Sequence, residues 1–159
     1  MAKKFGGAYQ TIRQMAYYLR KLSTGDNFNA EIRSLLMQPE MTKFIGDLIR
    51  AQLYAGVDGT GNDITPYYKM YTVKLKRKKG QISDWVTLRD TGEFYEGIGV
   101  DFPNDNEFTI TSSDRKTSEL VRKYGPEILM LNSEAKARLR RVVAEYLKIK
   151  IQNDLKKIK

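Results

Sequence analysis

The C-terminal stretch of the chain restricts its fold most, because apolar residues recur there every three or four positions from Asn132 to the end. The repeat consists of Leu139, Val143, Leu147, Ile151, Leu155 and Ile158. This spacing places them on one side of an α-helix, and Asn132 and Ser133 are residue types that cap a helix N-terminus. At 1.5 Å per residue the helix would extend roughly 35 to 40 Å, more than the radius of a domain this size. Part of its stripe is therefore expected to contact another subunit, through Val143, Leu147, Ile151 and Leu155.

The first third of the chain, residues 8–56, has the same helical periodicity. Three segments share it, at residues 8–22, 29–37 and 40–55. Gly25 and Gly56 lie where the first and third helices are expected to end, and Pro39 separates the second from the third. The third segment has the widest apolar stripe, so we predict that it is a core helix.

The middle of the chain, residues 64–131, mixes strand and helix patterns. Apolar residues alternate on both sides of a Pro-Asn-Asp-Asn turn, which predicts a β-hairpin near residues 97–112. A helix is expected over residues 114–124. Residues 67–79 alternate as a strand would, yet a short helix fits them equally well, and both alternatives stay open.

Asp90 and Glu93 have the spacing of a capping box, in which each side chain bonds to a backbone amide near the other residue. We expect this box to open a short helix that contains Phe94. The carboxylates of this region are explained by the preference of helix N-termini for negative charge, without acid–base chemistry.

The predicted fold class is therefore α+β, with a helical N-terminal part, a small antiparallel β-hairpin in the middle and a long C-terminal amphipathic helix. Residues 1–159 are expected to form a single domain, because a chain near this length with 41% hydrophobic residues buries roughly 70% of its unfolded surface. Its parts are residues 8–56, 64–131 and 132–159.

The composition removes the commonest catalytic groups. The chain has neither cysteine nor histidine, which excludes disulfides, zinc–thiolate sites, thiol nucleophiles and triads built on histidine. A calcium loop starting at Asp58 fails as well, since Asp63 replaces the required glycine and Lys69 replaces the bidentate glutamate. We expect no enzyme activity, no catalytic residue, no metal, no cofactor and no small-molecule substrate.

The net charge of +9 implies attraction to an acidic partner. Five of the six residues from 74 to 79 are basic, namely Lys74, Lys76, Arg77, Lys78 and Lys79. They are typical of solvated surface, of a contact with an acidic protein or of a contact with DNA. Nearby Tyr67, Tyr68, Tyr71 and Trp85 suit a protein interface or base stacking equally.

The C-terminal helix also has basic residues around its apolar stripe, as membrane-surface helices do. A core and subunit-interface role is the simpler interpretation, because Tyr146 is the one bulky aromatic residue along it. No apolar run approaches the ~20 residues that span a bilayer, and the first residues lack the apolar stretch of a signal peptide. We expect a soluble protein made inside the cell, without membrane contact.

Three landmarks between Thr65 and Leu131 resemble a group of small phage and prophage proteins that act in virion morphogenesis, tail completion or head-to-tail connection. In order they are Thr65-Pro66-Tyr67 leading into the basic tract Lys74 to Gly80, then Val86-Thr87-Leu88-Arg89-Asp90-Thr91-Gly92-Glu93-Phe94, then a hairpin followed by Lys116-Thr117 and Lys123-Tyr124-Gly125. The resemblance covers under half of the chain, and the helical first third departs from it.

The resemblance implies a helix through the basic tract, a loop that inserts Leu88 before Asp-Thr-Gly, and a hairpin that enlarges a sheet. Leu88 and Phe94 would be interface anchors. It further implies a homo-oligomeric ring of six or twelve copies in the virion of a tailed phage, at the head-to-tail junction as a neck, connector, tail-completion or tail-terminator protein. Its partners would be the portal or connector, the tail tube and the DNA that passes through. The alternative is a basic nucleic-acid-binding protein that uses Lys74 to Lys79 and the C-terminal helix.

Overall fold

The computed structural model describes residues 17, 20–21, 25–104 and 107–157, and these have the mixed α+β fold expected. The helices are α1 (Gly25–Leu36), α2 (Pro39–Tyr54), α3 (Met70–Lys78), α4 (Glu93–Glu96), α5 (Thr117–Tyr124) and α6 (Ser133–Lys157). The strands are β1 (Ile98–Asn104) and β2 (Glu107–Ser112), and a short 3-10 turn covers Pro126–Leu129. Of the predicted helix over residues 8–22, the structure describes positions 17, 20 and 21 alone. Ile158, near the other end of the chain, also lies outside the described residues.

The structure resolves the open alternative at residues 67–79 in favour of a helix, α3. The hairpin and the long C-terminal helix are confirmed. The predicted capping box is wrong. Gly92 precedes α4 with a φ of 105°, and the Asp90 carboxylate binds the Lys79 ammonium instead of an amide of the helix.

The chain divides into two compact units, Met1–Leu36 with Arg140–Lys159, and Met37–Leu139. In the first unit, Lys150 of α6 forms a 3.3 Å salt bridge with Glu31 of α1. Leu35 and Leu36 at the end of α1 are buried. That all 159 residues form a single domain stays a prediction.

The core of the second unit is built on α2. Ile45, Ile49 and Leu53 recur on one face of this helix and are fully buried, as the periodicity predicts. Gln52 is buried beside them, and its amide donates to the Met130 carbonyl at 2.8 Å and accepts from the Asn132 amide at 2.8 Å. Asn132 in turn caps α6, since its side-chain oxygen accepts from the Ala135 amide at 2.9 Å.

The hairpin is antiparallel, with Val100 opposite Ile110, and its register is interrupted between Asp101 and Asn104. Arg50 of α2 fixes its base. The guanidinium donates to the Tyr95 carbonyl at 2.8 Å and to the Ile98 carbonyl at 3.2 Å. A two-stranded hairpin is marginal in water by itself, so this attachment to α2 is a condition of its stability.

Candidate functional site

Two tyrosines hold the backbone of residues 87 and 88 in place. The Tyr68 hydroxyl accepts from the Thr87 amide at 3.0 Å and from the Leu88 amide at 3.2 Å. The Tyr95 hydroxyl donates to the Thr87 carbonyl at 2.5 Å, and burial raises the pKa of this phenol well above its ordinary value. The phenol therefore stays protonated and remains a donor at any physiological pH.

This anchoring supports an unfavourable backbone conformation at Leu88, which has a φ of 55°. An L-residue with a bulky side chain loses roughly 1 to 2 kcal/mol in this left-handed region. The side chain is 9% exposed, so it lies largely inside the protein. The segment that carries the family resemblance is thus a structurally fixed turn.

The turn forms one wall of a surface groove of about 250 Å³. Its other walls come from α3 and α5. The apolar lining consists of Tyr68, Leu75, Leu88, Phe94, Leu120 and Tyr124. Leu88 and Phe94, the two predicted anchors, are brought together here, and both are mostly covered by their own chain.

Charged side chains surround the apolar lining of the groove. The Lys79 ammonium and the Asp90 carboxylate are 2.6 Å apart. The hydrogen bond from Lys79 lowers the pKa of Asp90 below its ordinary value and outweighs the effect of burial. Arg89 and Lys116 are exposed at the same groove, and Asp114 accepts a hydrogen bond from the Lys116 amide at 3.0 Å.

Lys76 differs from the rest of the predicted basic contact, because only 5% of it is exposed. Its ammonium donates to the Arg89 carbonyl at 2.5 Å and to the Gln81 amide oxygen at 3.3 Å. It also lies 5.0 Å from the centre of the Tyr68 ring, within reach of a cation–π interaction. Lys76 therefore acts inside the protein, where it connects α3 to the turn.

The other basic residues of the tract are exposed. Arg77 donates to the Ser83 hydroxyl at 3.2 Å and lies 3.7 Å from the Asp84 carboxylate. Lys74 and Lys78 are one helical turn apart on α3. Both side chains are exposed, and within the described part of the chain neither ammonium group has a hydrogen bond or ion pair.

The predicted interface residues of α6 belong to the other unit. Val143, Leu147, Ile151 and Leu155 are each half-buried. Val142 and Ile149 are more accessible, at 39% and 50% exposure. The exposed apolar surface of α6 is thus broader than the single stripe that the sequence suggested.

The loop after α2 forms its own hydrogen bonds. The Asp58 carboxylate accepts from the Thr60 amide at 2.8 Å and from the Thr60 hydroxyl at 2.6 Å. Burial alone would raise the pKa of Asp58, but these bonds and that of Asn62 lower it. Among the described residues, no cluster of acidic side chains is arranged to hold a metal ion.

Sequence reasoning did not find the groove, although it singled out Lys76, Lys79, Leu88 and Phe94 separately. Leu120 and Tyr124 belong to a short helix that the sequence places far along the chain, and Arg89 was noticed only as part of a motif. Helix and strand periods relate residues within one element, so they do not indicate that residues of three separate elements form a common groove. A signal was nevertheless available in the cluster of aromatic, leucine and basic residues that flanks the Asp-Thr-Gly motif.

Comparisons of the chain with protein-family models, curated proteins and solved structures find no match. In the part of the chain that the structure describes, no helix is both long and apolar enough to cross a bilayer. The functional argument therefore depends on the residues themselves.

Proposed function

We propose that this protein is a structural, non-enzymatic component of a tailed-phage virion that forms a homo-oligomeric ring at the head-to-tail junction. Portal or connector and tail-tube proteins would be its neighbours, with DNA passing through the ring. The observation that carries the proposal is the position of Leu88 to Phe94. This segment, which bears the family resemblance, is fixed as the wall of an open apolar groove with a charged rim.

The lining of the groove favours a protein partner, and its volume is at the small end for a ligand pocket. Pockets for small molecules typically have volumes of ~300 to 1,000 Å³, whereas this groove has about 250 Å³. An aromatic and aliphatic centre surrounded by charged groups is the usual composition of a protein–protein contact. One or two side chains of a neighbouring protein would fill it.

The C-terminal helix supports the same proposal from the other unit. Val142 and Ile149 are apolar and substantially exposed, and Val143, Leu147, Ile151 and Leu155 are only half-covered. Contact with a neighbouring copy would remove this surface from water, at roughly 25 cal/mol for each Å² of apolar area. Assembly is thus expected to tolerate salt.

The test is the mass of the purified protein by light scattering at two concentrations and at low and high salt. We expect a salt-tolerant oligomer for the natural sequence. Leu147→Asp and Ile149→Asp should reduce its mass because each puts a carboxylate into the apolar contact. Ile149 is half-exposed in the single chain, so Ile149→Asp should keep its helical circular dichroism.

Gln152→Asp is the matched control, since Gln152 is exposed on the same helix. It adds the same charge outside the apolar surface and should leave the mass unchanged. Negative-stain electron microscopy of the natural protein should then show closed rings of six or twelve copies. A monomer at every concentration, or an Ile149→Asp variant with unchanged mass, would contradict the proposal.

A second function is favoured by one observation, the accessible pair Lys74 and Lys78 on α3. Two ammonium groups one helical turn apart suit neighbouring phosphates of a nucleic acid. The exposed lysines and arginines of α6 would extend such a contact. A monomer that binds DNA tightly at moderate salt would favour this alternative over the ring.

A further inference from the structure

The β-hairpin is an acidic segment in a strongly basic protein. Residues 97–113 contain Asp101, Asp105 and Glu107 and no lysine or arginine, although the whole chain has a net charge of +9. Asp101 and Glu107 are exposed. A concentration of one sign of charge against the balance of the chain is typical of a surface that meets a partner of opposite sign.

The hairpin also has apolar side chains, on the face opposite these carboxylates, because successive side chains of a strand point to opposite faces. The rings of Phe102 and Phe108 face each other across the two strands, with 6.3 Å between their centres. Both side chains are only half-buried, as are Val100 and Ile110 on the same strands. Aromatic residues that are incompletely covered in the single chain are the usual anchors of a protein contact.

The groove has the complementary properties. Four basic residues line it against two acidic ones, Asp90 and Asp114. Asp90 is already paired with Lys79. The exposed cations that remain for a partner are Arg89 and Lys116, at the edge of an apolar lining that includes Leu75 and Leu120.

We propose that the hairpin of one copy docks edge-on into the groove of a second copy. Asp101 or Glu107 on one face of the hairpin then meets Arg89 and Lys116, and an aromatic side chain on the other face meets Leu75, Leu88 and Leu120. The groove volume of about 250 Å³ is suited to one or two side chains rather than to a whole strand. This inference depends on the self-assembly proposed above and names the surfaces that join.

The contact would be head-to-tail. Among the described residues, none of the hairpin lines the groove of its own chain, so the hairpin and the groove are two different surface patches of each copy. Different patches that bind each other repeat around an axis and close into a ring when the rotation allows. A two-fold dimer in which each hairpin enters the groove of the other copy uses the same two surfaces, and light scattering distinguishes its mass of two copies from that of a ring.

The test uses two charge-reversed variants of the full chain. The hairpin variant is Asp101→Lys with Glu107→Lys, and the groove variant is Arg89→Glu with Lys116→Glu. Each variant alone brings like charges together at every contact, so the concentration needed for half-assembly should rise by about tenfold or more. Lys74→Glu with Lys78→Glu, on exposed residues of α3 outside the groove lining, is the control and should assemble as the natural protein does.

Mixing the two variants in equal amounts supplies the decisive measurement. A reversed hairpin meets a reversed groove, and an unmodified hairpin meets an unmodified groove, so all contacts in an alternating assembly regain opposite charges. Light scattering should show the natural mass again, which a variant that merely fails to fold would not produce.

The outcomes separate this inference from the proposed function. If the natural protein assembles and the reversed variants assemble equally well, the hairpin–groove contact is wrong while the ring proposal stands. The same holds if both variants are impaired and the mixture stays impaired. A natural protein that remains monomeric throughout would overturn both.

Discussion

Tyr68 shows how much of this structure depends on single polar atoms. Its hydroxyl satisfies two backbone amides of the turn, and Thr87 beside it is 2% exposed. Phenylalanine would preserve the ring beneath Lys76 but leave both amides without this acceptor. Unpaired buried donors cost about 1 to 3 kcal/mol, so Tyr68→Phe should lower the free energy of unfolding by that amount in urea titrations.

Tyr71→Phe is the matched control because Tyr71 is 72% exposed, and its change should stay within about 0.5 kcal/mol. Hydrogen exchange of the Thr87 and Leu88 amides should also accelerate in Tyr68→Phe alone. Equal stability of the two variants would show that the turn does not need the Tyr68 hydroxyl.

A second prediction compares the stabilities of two variants at Leu88. Both Leu88→Ala and Leu88→Gly remove the apolar side chain, at a cost of about 2 to 5 kcal/mol. Alanine keeps the strain of a φ of 55°, whereas glycine adopts this conformation freely. We therefore expect Leu88→Gly to be at least as stable as Leu88→Ala, by thermal unfolding of both proteins.

The same pair of substitutions at Leu48, a buried residue in the middle of α2, provides the comparison. Glycine should be worse than alanine there by about 1 kcal/mol, as in other helix interiors. If glycine is equally inferior at Leu88, the turn does not hold this residue in the left-handed conformation.

Among the elements, α3 shows where the sequence pattern was insufficient. Its alternating residues fit a strand or a helix equally, and the choice depends on contacts with other segments. In the helical form Lys76 reaches the Arg89 carbonyl while Lys74 and Lys78 stay in solvent. Nothing local to residues 70–78 specifies this contact with the Arg89 carbonyl.

The attachment of the hairpin to α2 can be tested with Arg50→Lys. The guanidinium reaches the carbonyls of Tyr95 and Ile98 at once, and a lysine keeps the charge but loses the fork that serves two acceptors. We expect a loss of about 1 to 2 kcal/mol in stability and faster hydrogen exchange in β1. Arg115→Lys, at an exposed arginine, should change neither quantity. Slow exchange in β1 of Arg50→Lys would mean that other contacts hold the hairpin.

At the scale of the whole molecule, the charge of +9 predicts some affinity for DNA whichever function is correct. The dependence of binding on salt identifies the residues involved. Removal of two phosphate contacts by Lys74→Gln with Lys78→Gln should flatten the plot of log affinity against log salt by about 2. Fluorescence anisotropy with a short duplex would measure it.

Lys79→Gln is the control for this experiment, because the Lys79 ammonium is already paired with Asp90 at 2.6 Å. Lys79→Gln should change the slope of log affinity against log salt less than the double variant does. An unchanged slope in the double variant would remove α3 from the DNA contact and leave α6 as the basic surface to examine.

Residue types and their spacing alone determined the fold class, the buried face of α2, the hairpin and the long C-terminal helix, because burial of apolar side chains imposes the periods of helix and strand on the sequence. The groove was decided by tertiary structure. It brings together Leu88, Lys116 and Leu120, which are far apart in the chain. The Tyr68 hydroxyl accepts from the turn at residues 87–88 and the Tyr95 hydroxyl donates to it, and no periodicity of the sequence indicates these bonds. The capping box failed for the same reason, since the Asp90 carboxylate binds the ammonium of Lys79, which lies outside the segment that the local pattern covers. Sequence patterns reflect interactions between residues that are close in the chain. Interactions between distant residues form only when the chain folds, and they can then replace the local ones.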